Sequence, residues 1–277
     1  MNLRIVTDST ADIPDELIEA YQIQMVPNLI IIDGKSLEDK KDISRREFYE
    51  RLPGMKSSPT TATASIGSYQ SLYEKLFKNN VTQIISIHAA SQLSGIYNAA
   101  STAAQAFGKC VRVLDSEHIS MGLGFQVLAA AEAAARGETL EKVLELILDV
   151  RHRVRLIAML DTLEYVRRSG RVSWARARFG NLLRIKPFVE VMGGQVFNRG
   201  EARTRSNGIA RLKQFLKDLG PLERLAVLHT NAEEDARQFL ADLNPDLTLP
   251  ALIVNVTTVI GVHVGPNGIG FATVLRN

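Results

Sequence analysis

Cysteine occurs once in the 277 residues, at Cys110. A disulfide framework and a cysteine-based metal cluster are thereby excluded, and Cys110, at the start of a strand pattern, reads as a core residue. Long apolar runs are missing too: none approaches the roughly 20 residues a membrane-spanning helix needs. The opening Met1-Asn2-Leu3-Arg4-Ile5-Val6 enters a strand pattern at once, without signal-peptide architecture, so the expected location is the cytoplasm. An excess of either charge is missing as well, since the net is only +3, too little to argue for nucleic acid. No internal repeat or low-complexity linker interrupts the chain.

Several catalytic and cofactor signatures are also absent. There is no GxxxxGK[ST] phosphate loop, and Gly265-Pro266-Asn267-Gly268-Ile269-Gly270 leads into a strand instead of opening a helix after one, so it fails the context test for dinucleotide binding. The turn is expected to bring His263 and nearby backbone close to a ligand. His88, His118, His152, His229 and His263 include no pair at the i, i+4 spacing of a helical metal site, and no metal is expected. Ser94 lacks the GxSxG elbow of a serine hydrolase. Met121, Met159 and Met192 read as packing residues.

What the chain does have is a 45% hydrophobic, 23% charged composition, that of a globular protein, and a length suited to one or two domains. Strand patterns over Leu3–Thr7, Ile23–Ile32, Val81–His88 and Val111–Asp115 alternate with helical patterns over Pro14–Tyr21, Ser44–Leu52, Ile66–Phe77, Ser94–Phe107 and Ile119–Ala135. That alternation predicts a parallel sheet with helices on its faces. After a helix over Leu140–Arg153 the rhythm changes. A Gly-Gly hairpin spans Val189–Phe197, with helices near Ser173–Leu183, Thr204–Leu219 and Glu233–Leu243. Strands are expected near Leu225–His229, Ala251–Val256 and Phe271–Leu275. The expected architecture is α/β with two domains, a parallel-sheet domain over 1–155 and an α+β domain over 156–277.

Two hydroxyl-rich stretches stand out, Ser57-Ser58-Pro59-Thr60-Thr61-Ala62-Thr63-Ala64-Ser65 and Ser91-Gln92-Leu93-Ser94-Gly95-Ile96. Each precedes a helical pattern, where small hydroxyl residues and free backbone N–H groups suit a carboxylate or phosphate. With Asp8-Ser9-Thr10 and Asp115-Ser116, the second stretch falls at the carboxyl ends of strands, where open α/β sheets bind ligands. Between Arg151 and Arg184 stand Arg151, Arg153, Arg155, Arg167, Arg168, Arg171, Arg176, Arg178 and Arg184, against only Asp161 and Glu164. This is either a solvated helical face or a docking surface for an acidic partner or a phosphate-bearing product. It carries no helix-turn-helix, zinc or aromatic-stacking signature of DNA binding.

Together with Thr7-Asp8-Ser9-Thr10-Ala11-Asp12, Ser120-Met121-Gly122-Leu123-Gly124, Leu163-Glu164-Tyr165-Val166-Arg167-Arg168-Ser169-Gly170-Arg171-Val172-Ser173, Leu183-Arg184-Ile185-Lys186-Pro187 and Gly261-Val262-His263-Val264-Gly265-Pro266, these stretches resemble the DegV family of bacterial fatty-acid-binding proteins. The elements run in family order through nearly the whole chain. It departs from the family at Ala62-Thr63-Ala64-Ser65, often Ser-Gln-Pro-Ser, and at Asn267, commonly glycine.

The resemblance implies a long-chain fatty acid buried between two domains, and no other cofactor. Thr60 and Ser94 would hold its carboxylate, with Thr61, Ser91 and Gly95 as neighbours, His263 closing the site and Arg171, the buried site's arginine, supporting the head group or its phosphate. Arg203 would dock a separate fatty acid kinase, which turns the carboxylate into an acyl phosphate for phospholipid synthesis. The chain would then be a lipid-binding protein and not an enzyme, and transient contact with a membrane surface would suit its ligand. Burying about fourteen methylenes at ~0.8 kcal/mol each supplies roughly 11 kcal/mol before ordering costs, so no strong salt bridge is required. Two readings from other classes remain: an acyl hydrolase or acyltransferase using Ser94 and His263, and an interaction protein whose business is its arginine-rich face.

Overall fold

The computed structural model describes residues 2–176 and 185–276. Strands β1 (Leu3–Asp8), β2 (Gln24–Val26), β6 (Gln83–His88) and β7 (Val111–Asp115) form a parallel sheet in the order β2-β1-β6-β7. Val6, Ile84, Ile85 and Ile87 are buried, as expected of parallel strands covered on both faces. Helices α1 (Asp15–Ala20), α3 (Ile66–Lys78), α4 (Ile96–Ala104), α5 (Ser120–Ala135) and α6 (Leu140–Arg153) belong to this half.

A second, antiparallel sheet is built from β3 (Leu29–Ile32), β4 (Lys35–Glu38) and β5 (Thr60–Ala62), with α2 (Arg45–Arg51) between β4 and β5 in the chain. The single strand expected over Ile23–Ile32 is therefore two strands in two sheets. Pro27 has no N–H for a ladder. Asn28 turns inward, donating to the Asp8 carboxylate and accepting from the Ala64 N–H. Ser44 caps α2 by accepting from the Glu47 N–H, as its spacing predicts.

Every strand after residue 153 joins a six-stranded sheet: β8 (Val154–Met159), β9 (Lys186–Met192), β10 (Gln195–Ala202), β11 (Leu222–His229), β12 (Leu252–Asn255) and β13 (Ile269–Leu275). Their order is β10-β9-β8-β13-β11-β12, antiparallel except for the β11–β12 pair. Helices α7 (Glu164–Ser169), α8 (Ser173–Arg176), α9 (Arg205–Asp218), α10 (Glu233–Leu243) and α11 (Thr258–Val264) complete the fold. Beyond α8, the helix expected to Leu183 lies outside the described residues, as do Arg178 and the Leu183-Arg184 part of the DegV resemblance.

Helix α5 joins the layers. Apolar or small on almost every side, it packs against β1 and β6 of the parallel sheet and against β8 and β13 of the six-stranded one. Gly124 permits the approach, since a Cβ there would sit 2.5 Å from the Ala11 carbonyl. The main core is thereby continuous from Ile5 and Ile85 through Leu123 and Val127 to Leu156 and Ala272. Two side chains expected in the core are outside it. Cys110 is exposed, ending a 3-10 turn before β7, and Met192 is exposed at the β9–β10 turn; Met121 and Met159 are buried as expected.

Candidate functional site

Between the six-stranded sheet and the N-terminal half lies a cavity of about 520 Å³, within the range of small-molecule sites. Its floor is sheet: Leu156, Val189, Val191 and Leu228 line it, and Val259, Ile260 and Val264 of α11 face it from another wall. Four lining residues, Gln92, Gly95, Asn98 and Arg171, are exposed, and they mark where the cavity meets solvent. Polar groups lie at this rim and also among the buried lining, at Thr10, Asn28, Ser120, His229 and Thr230, and aliphatic side chains make up much of the rest.

Both hydroxyl-rich stretches reach this cavity, by different means. The first contributes strand residues, not a helix end. Ser65 caps α3 through the Ser68 N–H and is exposed, whereas Thr61, Ala62 and Thr63 line the cavity. Register decides which threonine points inward. Thr60 pairs with Ile31 on β3 and is exposed outside the lining, while Thr61 pairs with the fully buried Ile30. Thr60, expected to be a primary carboxylate contact, thus lies outside the lining, and its neighbour Thr61 lies inside it.

The second stretch does use a helix start. Ser91, Ser94 and Gly95 line the cavity, and Gly95 is the N-cap of α4, with no side chain of its own to cap it. Ser94 Oγ accepts from the Ile96 N–H at 3.4 Å. The loop is held by Asp115, whose carboxylate accepts the Ser91 and Glu117 N–H groups. Gly95 and Thr63 adjoin, a Cβ on the glycine lying 3.7 Å from the threonine methyl. The two stretches are therefore two sides of one opening. The positive end of α4 faces into it.

His263 comes from α11, a helix absent from the sequence expectation because Thr257-Thr258-Val259-Ile260 is β-branched. Buried carboxylates from the other half hold its start. Asp12 accepts the Thr257 N–H at 2.7 Å, and Asp39 accepts both the Thr257 and Thr258 hydroxyls. Burial pushes the Asp12 carboxyl up to about 6, against the pull of Arg45 and of the Ser120 hydroxyl. His263 Nε2 lies 3.2 Å from Thr61 Oγ1, and its Nδ1 is buried without a partner. Burial, and then the Arg171 charge, lower its pKa to about 4, so the ring is neutral near pH 7.

Arg171 lines the cavity at its exposed rim, its Nη1 donating to the Ser169 carbonyl at 2.5 Å. Arg203 is exposed just after β10 and does not line the cavity. Several of the described arginines from 151 onward are in ion pairs. Arg151 pairs with Glu117, Arg153 with Asp149 and Glu223, and Arg168 with Glu164.

Sequence reasoning missed a buried chain behind the cavity wall. Asp8 Oδ2 meets His88 Nδ1 at 2.9 Å, His88 Nε2 meets Ser86 Oγ at 2.7 Å, and Ser86 Oγ meets Tyr73 OH at 2.9 Å. Burial acts to raise the Asp8 pKa, but the hydrogen bond and charge of His88 and the bonds from Thr10 outweigh it and leave it lowered. The only hint in the sequence is Ser86 and His88, two polar residues at strand period inside the apolar β6. Among the described residues no cluster could hold a metal ion and no helix is long and apolar enough to cross a membrane.

A family model described as "Uncharacterised protein, DegV family" matches residues 2–276. A DegV domain-containing protein of Caldanaerobacter subterraneus subsp. tengcongensis is 33% identical over 273 residues, 97% of each chain. Among solved structures, a fatty-acid-binding DegV family protein from Thermus thermophilus superposes with a TM-score of 0.91 at 28% identity, covering 100% of both chains. DegV of Bacillus subtilis, a fatty acid binding protein, gives 0.87 at 31% identity, again over 100% of both.

Proposed function

Because the chain belongs to the DegV family, we propose that it holds a long-chain fatty acid in the cavity between its sheets and presents the carboxylate to a separate kinase for conversion to an acyl phosphate. The observation that carries this reading is a mainly apolar cavity whose exposed rim brings the two hydroxyl-rich stretches together. Thr61, Ser91, Ser94, the start of α4 at Gly95 and the neutral His263 would surround the carboxylate, and Arg171 would balance the added phosphate charge at the rim. Neutral hydroxyl and N–H donors suit both the carboxylate and the bulkier acyl phosphate. In this reading residues 1–155 and 156–277 act as two domains that enclose the ligand, and Arg203 docks the kinase. The setting is the cytoplasm, and phospholipid synthesis is the destination of the product.

Native mass spectrometry after mild purification tests it: the protein should carry an intact fatty acid. Thr61→Val removes a hydroxyl donor to a charged group, worth about 1.5–3 kcal/mol, and should weaken fatty-acid affinity roughly 10- to 100-fold. Thr60→Val should leave affinity within about twofold, as an outward-facing substitution. An empty wild-type cavity, or equal losses in the two variants, would sink this reading.

A further inference from the structure

The sequence's glycine-rich turn has a second consequence, in the floor of the cavity. Register sets Ala158 of β8 directly opposite Gly270 of β13 on one side and Val189 of β9 on the other, and Gly270 in turn opposite Leu228 of β11. The smallest residues of this row thus sit side by side in adjoining inner strands, flanked by branched ones, and all four line the cavity.

Ala158 lies mid-strand with a partner strand on each side, yet it keeps accessible surface, whereas Ile157 and Met159 on the opposite face are buried. That surface opens into the cavity. Small size alone does not create the space. In the next row Ala272 and Ala226 are fully buried, in the part of the core that α5 fills. Ala158 belongs instead to the cluster of Leu160, Val166 and Val189, is only partly buried there, and lines the cavity.

Gly270 cannot be the adjustable position of the pair. A Cβ there would stand 2.7 Å from the Ile157 carbonyl and from the Ala158 Cβ, so the two strands would have to part. Ala158 already has its Cβ, and a longer side chain extends into open volume.

Resting on the fatty-acid reading above, we propose that Ala158 determines how long an acyl chain the cavity accepts. Close packing means that each methyl added at this position displaces about one ligand methylene. Ala158→Val and Ala158→Leu should therefore shift the retained fatty acids shorter by about two and three carbons respectively.

The test is native mass spectrometry of wild type and both variants, each purified from cells given the same mixture of saturated fatty acids, with thermal unfolding to establish folding. Ala158→Val is the smaller step and carries the test if Ala158→Leu does not fold. A progressive shortening supports the inference. A wild type that retains long chains beside a folded Ala158→Val that retains the same chains, or none, overturns it alone. A wild type that retains no fatty acid overturns the reading of the cavity, and this inference with it.

Discussion

His263 gives the sharpest handle on the proposed head-group end of the cavity, because its protonation is coupled to folding and, in the proposed reading, would be coupled to an occupying carboxylate as well. The ring is held near 4 in the folded protein, mainly by burial, against 6.5 ordinarily. A folded-state pKa below the unfolded one means that the unfolded chain takes the proton first. The contribution of His263 is therefore fully present above pH ~6.5 and is lost as the pH falls towards 4. Between pH ~7.5 and pH ~5 the loss works out to about 2 kcal/mol, or about 1–2 once solvent screening of the half-buried ring is allowed for.

A carboxylate beside the ring would raise its pKa by about 1–3 units and so restore on the order of 1 kcal/mol at pH ~5. The stability gap between protein reloaded with hexadecanoate and delipidated protein should accordingly widen by about that amount on going from pH ~7.5 to pH ~5, roughly 2 °C or more in Tm. His118 and His229 are lowered to about 4 as well, so wild type must be compared with His263→Gln, in which the widening should vanish. Calorimetry on the four samples at both pH values decides the matter. A gap that does not change with pH in wild type, or that widens equally in His263→Gln, refutes the placing of the carboxylate beside this ring.

Two further expectations concern the frame around the site. Gly265, which ends α11, has φ +79°, and a Cβ there would fall 2.2 Å from Tyr165 Cδ2, whereas Gly220 has φ +85° with nothing near. Gly265→Ala should cost about 2–5 kcal/mol and Gly220→Ala only the backbone share of about 1–2; equal shifts in urea midpoint would count against the close packing of Tyr165. Asp12 behaves oppositely to the histidines. Its pKa is raised from 3.8 to about 6, so its contribution is greatest at low pH and falls by about 3 kcal/mol as the pH rises to 6. Wild type should thus gain on Asp12→Asn by about 2 kcal/mol between pH ~6 and pH ~4, and denaturation curves showing a constant difference would remove the assigned shift.

Local pattern carried the parallel sheet, since β1, β6 and β7 are apolar runs separated by amphipathic helices, and each prediction there needed only its own residues. It failed where distant partners decide. Ile23–Ile32 reads as one strand until Asn28 is seen bonded to Asp8 and Ala64. The β-branched start of α11 reads as strand or loop until Asp12 and Asp39 occupy its first turn. At the site, the hydroxyl-rich stretches were legible as chemistry but not as geometry. Thr60 and Thr61 are equivalent in sequence, and only the pairing of β5 with β3 turns one outward and the other towards His263. Ala158 is unremarkable in sequence, because its importance lies in a row that crosses four strands.

The competing hydrolase reading can be weighed by asking where a serine, a histidine and a carboxylate meet. A serine hydrolase needs a reachable serine, a histidine to take its proton, and a carboxylate to orient that histidine. Ser86, His88 and Asp8 have this connectivity, but all three are fully buried and none lines the cavity. The Ser86 oxygen also faces Tyr73 instead of open space. Ser94 and His263 have the access and lack the connections. His263 Nε2 is engaged with Thr61, and no carboxylate meets its Nδ1. Burial, and then Arg171, lower the ring's pKa to about 4, which makes it a weak proton acceptor for a serine hydroxyl. Orientation and access are divided between two places in the molecule. Among the described residues the accessible place has donors around a mainly apolar slot, an arrangement that suits the proposed holding of an acyl group better than the competing reading.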